Sequence, residues 1–426
     1  MLKFPRPGAV KTRLIPALGE SRACELHRAL VGHTLGEVER FASQRDVTVE
    51  ARIANAPDET AARAWLGNGP MIRDQGDGDL GARMARAVAT AFAEKTEAVV
   101  VIGGDCPDLT AAHLEHAFAA LQRSDAVIGP AEDGGYYLIG MRRSLPELFQ
   151  SIHWGTSEVL AQTRTVARAL RLNVEYLAAL GDVDVPADLA RWARTPAARQ
   201  AGRGGISVII PALNEEERLP ATLTAVRRGG PHEIIVVDGG SIDRTAEVAR
   251  AHGCIVLTSS PGRAAQMNAG AAIATGEFLL FLHADTLPPP DYSELVRSSL
   301  AEPGVAGGAF EFAIAGEFLG RRLVEHGTNW RARWRRLPYG DQGIFVRRAT
   351  FAEVGGFAAL PIMEDYELVR RLRSVGTIVI APGVALTSGR RWQRLGAVGT
   401  TLFNQIIILG YLTGISPARL ARWYHQ

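Results

Sequence analysis

Residues 279–286, Leu279-Leu280-Phe281-Leu282-His283-Ala284-Asp285-Thr286, run as an apolar segment into a carboxylate and then into the turn Pro288-Pro289-Pro290. A short apolar run bounded by turn residues reads as a strand buried on both faces, and open α/β sheets gather their chemistry at the carboxyl ends of such strands. One Asp after one strand is ordinary turn chemistry. Here it has company: Ile234–Val237 leads into Asp238-Gly239-Gly240-Ser241-Ile242-Asp243, and Glu364-Asp365 follows downstream. Three acidic ends converging on one crevice predict a metal-assisted nucleotide-sugar site.

The same alternation extends in both directions. Apolar runs at Ile206–Ile210, Ile234–Val237, Ile255–Leu257 and Phe278–Leu282 are separated by helical periodicity near Glu216–Val226, Arg244–Ala251 and Ala264–Ala274. In the first half, runs at Val47–Ile53, Ala98–Ile102, Ala126–Ile128 and Leu172–Tyr176 alternate with helical stretches such as Leu80–Phe92 and Leu114–Leu121. Each half is therefore expected to be a mostly parallel sheet covered by helices. Residues 195–205 carry no apolar periodicity and read as a linker between a domain at 1–194 and a second at 206–426. The length of 426 residues supports two domains. Val99–Ile102, followed by Gly103-Gly104-Asp105, repeats the device of a strand delivering an Asp.

Composition narrows the function classes. Lys+Arg number 47 against 45 Asp+Glu, a balance that gives no reason to expect a nucleic-acid partner. The three cysteines, Cys24, Cys106 and Cys254, lack metal-site spacing and fit a reducing compartment. The N-terminal residues hold no apolar core of signal-peptide length, so a cytoplasmic location is expected. Leu402–Ile415 is apolar but shorter than the roughly 20 residues of a spanning helix; it reads as a packing helix, with contact at a membrane surface as the alternative.

Within the second half, Asp238 is placed to accept the N–H of a uracil-like base, with Asn214, Glu215 and Asp243 near base or ribose. Helix capping by Asp238 and Ser241 is the simpler alternative for that loop. The segment Ser259–Gly270 opens a helix with Arg263 in its first turn and Gln266 and Asn268 following. A cation at a helix N-terminus opposes the dipole, yet suits a diphosphate.

The motifs Pro211-Ala212-Leu213-Asn214-Glu215, Val237–Thr245, Phe281–Thr286, Gly340-Asp341-Gln342-Gly343 and Glu364–Leu368, in that order, resemble family 2 glycosyltransferases of the GT-A fold. The resemblance implies inverting transfer from a nucleotide sugar, usually a UDP-sugar, to a small acceptor, with Mg²⁺ or Mn²⁺. It makes Asp285 the metal ligand, Asp365 the catalytic base assisted by Glu364, and Asp341 and Gln342 the acceptor side. Two departures stand out. His283 replaces the first Asp of the family's Asp-X-Asp motif, and Ser388 stands where Gln would precede Arg391-Trp392, although Arg391 keeps its expected contact with the diphosphate.

In the first half, Pro7–Leu14, Gln75–Met84, Gly103–Leu109, Asp133–Tyr137, Trp154-Gly155-Thr156 and Asp182–Leu189 together resemble the DUF2064 family, related to sugar and cofactor nucleotidyltransferases and also GT-A-like. By that resemblance Lys11 and Arg13 hold phosphates, and Asp105 with Asp182 or Asp184 binds Mg²⁺. Capping is the alternative for the Asp182–Asp188 run. Related domains begin with a strand before the Lys-X-Pro-X-Pro-Gly segment, whereas Met1-Leu2 alone precede Lys3, so a truncated first strand or a start further upstream is expected. The whole chain then reads as two tandem GT-A-like domains, a fused bifunctional transferase of the arsenosugar-biosynthesis type. Alternatives are a transferase acting on a membrane-lipid or carotenoid acceptor, and a first half that is a non-catalytic nucleotide-binding scaffold.

Overall fold

A computed structural model of the protein describes residues 1–390, 392 and 396–425. The chain divides into two compact units, one of Met1–Ile15 with Glu20–Ala197 and one of Pro16–Gly19 with Ala198 onward. The segment expected as a linker is ordered: Pro196–Ala201 is a helix, and Ala198 is buried. Its alanines favour helix and its proline sits at the first helical position, where no N–H is needed. Gly202 then accepts from Glu277 N–H at 3.0 Å, tying the segment to the second unit.

The first unit holds β1 (Leu2–Lys3), β2 (Glu50–Ala54), β3 (Met71–Asp74), β4 (Val99–Ile102), β5 (Ala126–Pro130), β6 (Tyr136–Met141) and β7 (Val174–Tyr176). β1-β2-β3 form a parallel sheet; β4-β6-β5-β7 form a second sheet in which β6 runs antiparallel to both neighbours. The short strand β1 does form, and the Met1 amino group donates to Ile102 O at 3.0 Å. Burial lowers the pKa of that amine to about 6. A cleft of about 130 Å³ lined by Leu2, Val38, Ala51 and Val100 lies beside it.

The second unit is built on one eight-stranded sheet of β8 (Ile206–Ala212), β9 (Glu233–Asp238), β10 (Ile255–Thr258), β11 (Phe278–Phe281), β12 (Thr286–Leu287), β13 (Val305–Ile314), β14 (Ile344–Arg347) and β15 (Thr377–Thr387). The order is β10-β9-β8-β11-β14-β13-β15-β12. β10, β9, β8 and β11 are parallel, as the crossover helices between them require. β14 then enters antiparallel between β11 and β13, pairing Phe278–Phe281 with Arg347–Ile344. Both units thus carry mixed sheets in which parallel pairings outnumber antiparallel ones, in keeping with the mostly parallel expectation. The overlooked strands β6 and β14 are nearly all apolar, so they carry no alternation to announce them.

Apolar positions face one core, where Ile206, Val208, Ile210, Val236, Leu280 and Phe310 are almost wholly excluded from solvent. At the amino ends of the strands, the buried Glu233 carboxylate accepts from Ser207 Oγ at 2.6 Å, Thr275 N–H at 2.6 Å and Thr275 Oγ1 at 2.9 Å. A buried charge so supplied with donors holds the chain in place. Chemistry is left to the opposite, carboxyl end.

Candidate functional site

At the end of β9, Asp238 accepts from Ser241 Oγ at 2.5 Å, Ser241 N–H at 3.2 Å and Gly240 N–H at 3.3 Å. Ser241 Oγ in turn accepts the N–H of Asn214, whose Oδ1 takes the N–H of Ile242. The two loops that leave β8 and β9 are therefore stitched together through side chains. Asn214 sits at φ 54°, a left-handed conformation that Asn tolerates better than other non-glycine residues. Asp243 closes the same loop as a cap, accepting from Thr245 Oγ1 at 2.5 Å, Thr245 N–H at 3.0 Å and Glu216 N–H at 3.2 Å.

From this loop the contacts continue to β11. Glu215 and Asp285 share one guanidinium: Arg390 donates to Glu215 Oε1 at 3.1 Å and to Asp285 Oδ2 at 2.9 Å. Sequence reasoning assigned the basic role to Arg391, which lies outside the described residues, and passed over Arg390. Two adjacent arginines differ in sequence only by register, and the register is set by β15, whose last residue Thr387 pairs with Thr286.

His283 lies on the other side of Asp285. Burial and then the Arg263 charge lower its pKa well below the ordinary histidine value, against the pull of Asp285 and Asp365, so the ring is neutral at pH 7. Beside it runs the backbone of Gly340, where a Cβ would stand 2.9 Å from His283 Nε2 and 3.3 Å from Asp365 Oδ2. Glycine is required at that close approach. Gly340 N–H donates to Asp365 Oδ2 at 2.7 Å, and Tyr366 N–H donates to Oδ1 at 2.7 Å. Glu364 is buried beside it, and burial, reinforced by the Asp365 charge, raises its pKa far above the usual carboxylate range. Arg263 is exposed at the first position of its helix Arg263–Ile273.

Asp341 Oδ1 is buried without a hydrogen-bond partner. Burial, opposed by Arg331 and reinforced by Asp365, lifts its pKa from 3.8 to about 6. Between those two values the folded protein keeps a proton that the unfolded chain has released, so stability falls as pH rises through the window, and the loss is complete above about pH 6. Asp341→Asn is accordingly expected to raise the thermal midpoint by about 2–4 °C at pH 8 and to leave it unchanged at pH 4, read by calorimetry at both values. A midpoint gain of equal size at pH 4 would contradict this assignment.

Three residues expected at the ligand instead hold the fold. Gln266 is buried, and its Nε2 donates to Ala212 O at 2.9 Å and Val237 O at 2.7 Å, fastening its helix to two strand ends. Asn268 exchanges two hydrogen bonds with the Phe357 backbone. Gln342 is fully buried, donating to Phe310 O at 3.0 Å and accepting from Tyr339 N–H at 3.1 Å. Their expected roles at donor and acceptor are corrected accordingly: a buried amide must satisfy its own polar groups, and the backbone does so here.

Among the described residues, no three His, Cys, Asp or Glu side chains come together to hold a metal ion. At β11, Arg390 occupies Asp285 Oδ2. Asp285 Oδ1 is the oxygen left for a cation that would take the rest of its coordination from ligand oxygens, as Mg²⁺ does with phosphates.

The first unit has a polar cluster of its own. Lys11, at φ 49° and with its side chain buried, places Nζ 3.2 Å from Asp105 Oδ2 and 3.8 Å from Asp184 Oδ1. Arg13 reaches Asp184 Oδ2 at 2.8 Å. The pKa of Asp182 is raised, first by burial and next by Asp133. Capping of the run falls to Asp188, which accepts from the N–H groups of Asp184 and Val185. The expected phosphate-binding and metal-binding residues are thus brought together, with Lys11 and Arg13 already paired to carboxylates. All three cysteines are buried thiols.

Residues 38–156 match the model of the uncharacterised bacterial protein family DUF2064, and residues 207–362 match that of glycosyl transferase family 2. An uncharacterised glycosyltransferase of Mycobacterium bovis is 41% identical over 81 residues, covering 19% of this chain and 36% of that protein. Glycosyltransferase AglE of Haloferax volcanii is 29% identical over 168 residues, 36% of this chain and 55% of its own. The chain thus spans about a third to a half of these curated relatives. A crystal structure from Desulfovibrio desulfuricans, provisionally assigned as a nucleotide-diphospho-sugar transferase, is 37% identical, covers 45% of this chain and 85% of its own, and has a TM-score of 0.42. No helix among the described residues is long and apolar enough to cross a membrane. With both family models placed on the two compact units, the second unit carries a glycosyl transferase family 2 domain at residues 207–362 and the first a DUF2064 domain at residues 38–156, both of mixed α/β build.

Proposed function

We propose that the second unit transfers a sugar, with inversion, from a nucleotide sugar to the hydroxyl of a small acceptor. The observation that carries this reading is a pair of contact series at the carboxyl end of the sheet, one from Asp238 through Ser241 and Asn214, across Glu215 and Arg390 to Asp285, and one from His283 past Gly340 to Asp365. The two meet in the turn after β11 that carries both His283 and Asp285.

In this reading Asp238 accepts from the base, with Asn214 and Glu215 shaping the wall. Asp243 acts behind them as the cap that fixes the loop. Arg390 and Arg263 face the diphosphate, whose charge their guanidinium groups match. A divalent cation, Mg²⁺ or Mn²⁺, bound with the donor at Asp285 supplies Lewis acidity toward the leaving diphosphate. Asp365 removes the acceptor hydroxyl proton as that oxygen attacks the anomeric carbon; the bond from carbon to the diphosphate oxygen breaks, and the nucleoside diphosphate leaves with the electron pair. Gly340 N–H holds the base in place for that step. Burial and the Asp365 charge raise the pKa of Glu364 to about 7, which lessens the second negative charge beside Asp365 at neutral pH.

The family 2 glycosyltransferase match at residues 207–362 supports a glycosyl donor for this unit. For the first unit we propose phosphate binding at Lys11 and Arg13, with Asp105, Asp182 and Asp184 as metal ligands once phosphate draws the two cations away from their carboxylates.

Calorimetry with UDP and Mn²⁺ tests the donor assignment. Asp238→Ala is expected to weaken binding by about 10- to 100-fold, the worth of a hydrogen bond to a charged group. Ser241→Ala loosens the same loop but keeps the carboxylate, so it should cost far less. Equal losses in the two variants would remove Asp238 from the donor site.

A further inference from the structure

The helix Arg321–Arg335 presents an apolar stripe to solvent. Leu323, Trp330 and Trp334 recur at intervals of seven and four residues, which places them within about 40° of one another around the helix axis. Leu323 is 79% exposed, Trp330 63% and Trp334 67%, while Leu319, just before the helix, is 97% exposed. The two indoles stack on each other, with ring centroids 5.2 Å apart and planes 15° apart. Large side chains so ordered and so uncovered mark a contact surface.

Charge around the stripe is in excess of one sign, since Glu317 and Glu311 pair with Arg321 and Arg333 and leave other arginines over. Arg322, Arg335 and Arg336 are exposed and have no acidic partner among the described residues, and Arg335 lies 5.8 Å from the Trp334 ring. The helix holds a single acidic residue, Glu325, which is turned inward to accept from Ile314 N–H at 2.9 Å.

A second helix extends the face. Ala397–Leu412 contains no charged residue and packs against Arg321–Arg335. One side of it is sealed, with Ile407 packed on Met363 and Leu420 and Tyr411 edge-on to Tyr366 at 6.0 Å. On its other side Leu402, Ile406 and Leu409, spaced for one face, are exposed. A helix apolar on both sides is stable in water only when both are covered.

We infer that these two helices form a docking face for an anionic lipid bilayer, lying flat in the headgroup region with the tryptophans and leucines at the acyl boundary and the arginines on the phosphates. Paired Trp, exposed Leu and unopposed Arg on one surface are the chemistry of interfacial helices. A second copy of the chain is a poorer occupant, because a two-fold contact across this face would set arginines against arginines.

Sedimentation of the full chain with vesicles tests this directly, using phosphatidylcholine alone and phosphatidylcholine with about 30% phosphatidylglycerol. Binding is expected to the anionic vesicles, to weaken in high salt, and to fall about tenfold in Trp330→Ser/Trp334→Ser and in Arg335→Gln/Arg336→Gln. These side chains are exposed, so circular dichroism and the thermal midpoint should stay at the wild-type values. Equal binding of the wild type and both variants would overturn the inference. So would a protein that ignores vesicles, whether it sediments alone as a monomer or as a dimer that the tryptophan variant dissolves. The assay contains no substrate, so its failure leaves the transferase reading untouched.

Discussion

Asp365→Asn is expected to lower kcat for transfer by about 10²- to 10⁴-fold, the usual worth of a positioned general base, while the affinity for nucleoside diphosphate stays within about twofold. The substitution keeps the size of the side chain and an oxygen able to accept from Gly340 N–H, whose bond to Oδ2 is 2.7 Å in the parent. What it removes is the basic oxygen, so the loss belongs to the proton transfer. Nucleoside diphosphate release with the purified chain and a panel of small acceptors gives kcat, and calorimetry gives the donor affinity. Glu364→Gln supplies the contrast: burial and the Asp365 charge raise the pKa of Glu364 to about 7, so an amide reproduces the protonated form that the residue already adopts about half of the time at neutral pH, and activity should stay within about tenfold of the parent. A variant at Asp365 with near-parental turnover would move the base elsewhere.

Asp285→Ala is expected to be nearly as severe, lowering kcat/KM by about 10²- to 10³-fold, the scale found when preorganised charge stabilisation of a leaving group is removed. Two separate interactions are lost with this carboxylate, the proposed cation and the 2.9 Å partner of Arg390. Adding Arg390→Ala separates them. If Arg390 acts on the diphosphate, the double variant falls below Asp285→Ala; if Arg390 only neutralises Asp285, the double variant matches it. Metal titration in the parent is expected to show weak binding without nucleotide and tight binding with it, since the chain supplies few ligands of its own. Activity of Asp285→Ala equal to the parent at saturating Mn²⁺ would contradict the assignment of Asp285.

The sequence was most legible where strand and loop chemistry coincide. Phe278–Phe281 is an apolar run followed four residues on by Asp285, and Glu233–Asp238 is a largely apolar run that ends at Asp238; both strands are legible from that pattern. The structure also brings Lys11, Arg13, Asp105 and Asp184 into contact, although they span more than 170 residues. Less legible were residues whose polarity serves the backbone. Gln266 and Gln342 have the side chains of ligand-binding residues, yet their amides satisfy strand and loop carbonyls, and only tertiary geometry reveals which strand ends they meet. The contact of Arg390 with Asp285 depended on where a long strand stops, and boundaries are the weakest part of any pattern-based reading; Arg391 lies outside the described residues. The helix Pro196–Ala201 was hidden by its small size and its glycine-rich continuation.

The guanidinium shared by Glu215 and Asp285 also bears on the order in which the chain is made. Arg390 follows Asp285 by 105 residues and Glu215 by 175. While the ribosome is still completing that interval, Glu215 already has Arg218 as a partner at 3.4 Å, but Asp285 lacks the guanidinium that reaches it at 2.9 Å in the finished chain. The bridge between the two loops is therefore among the last parts of the second unit to be made, and it closes only when the chain beyond β15 has emerged.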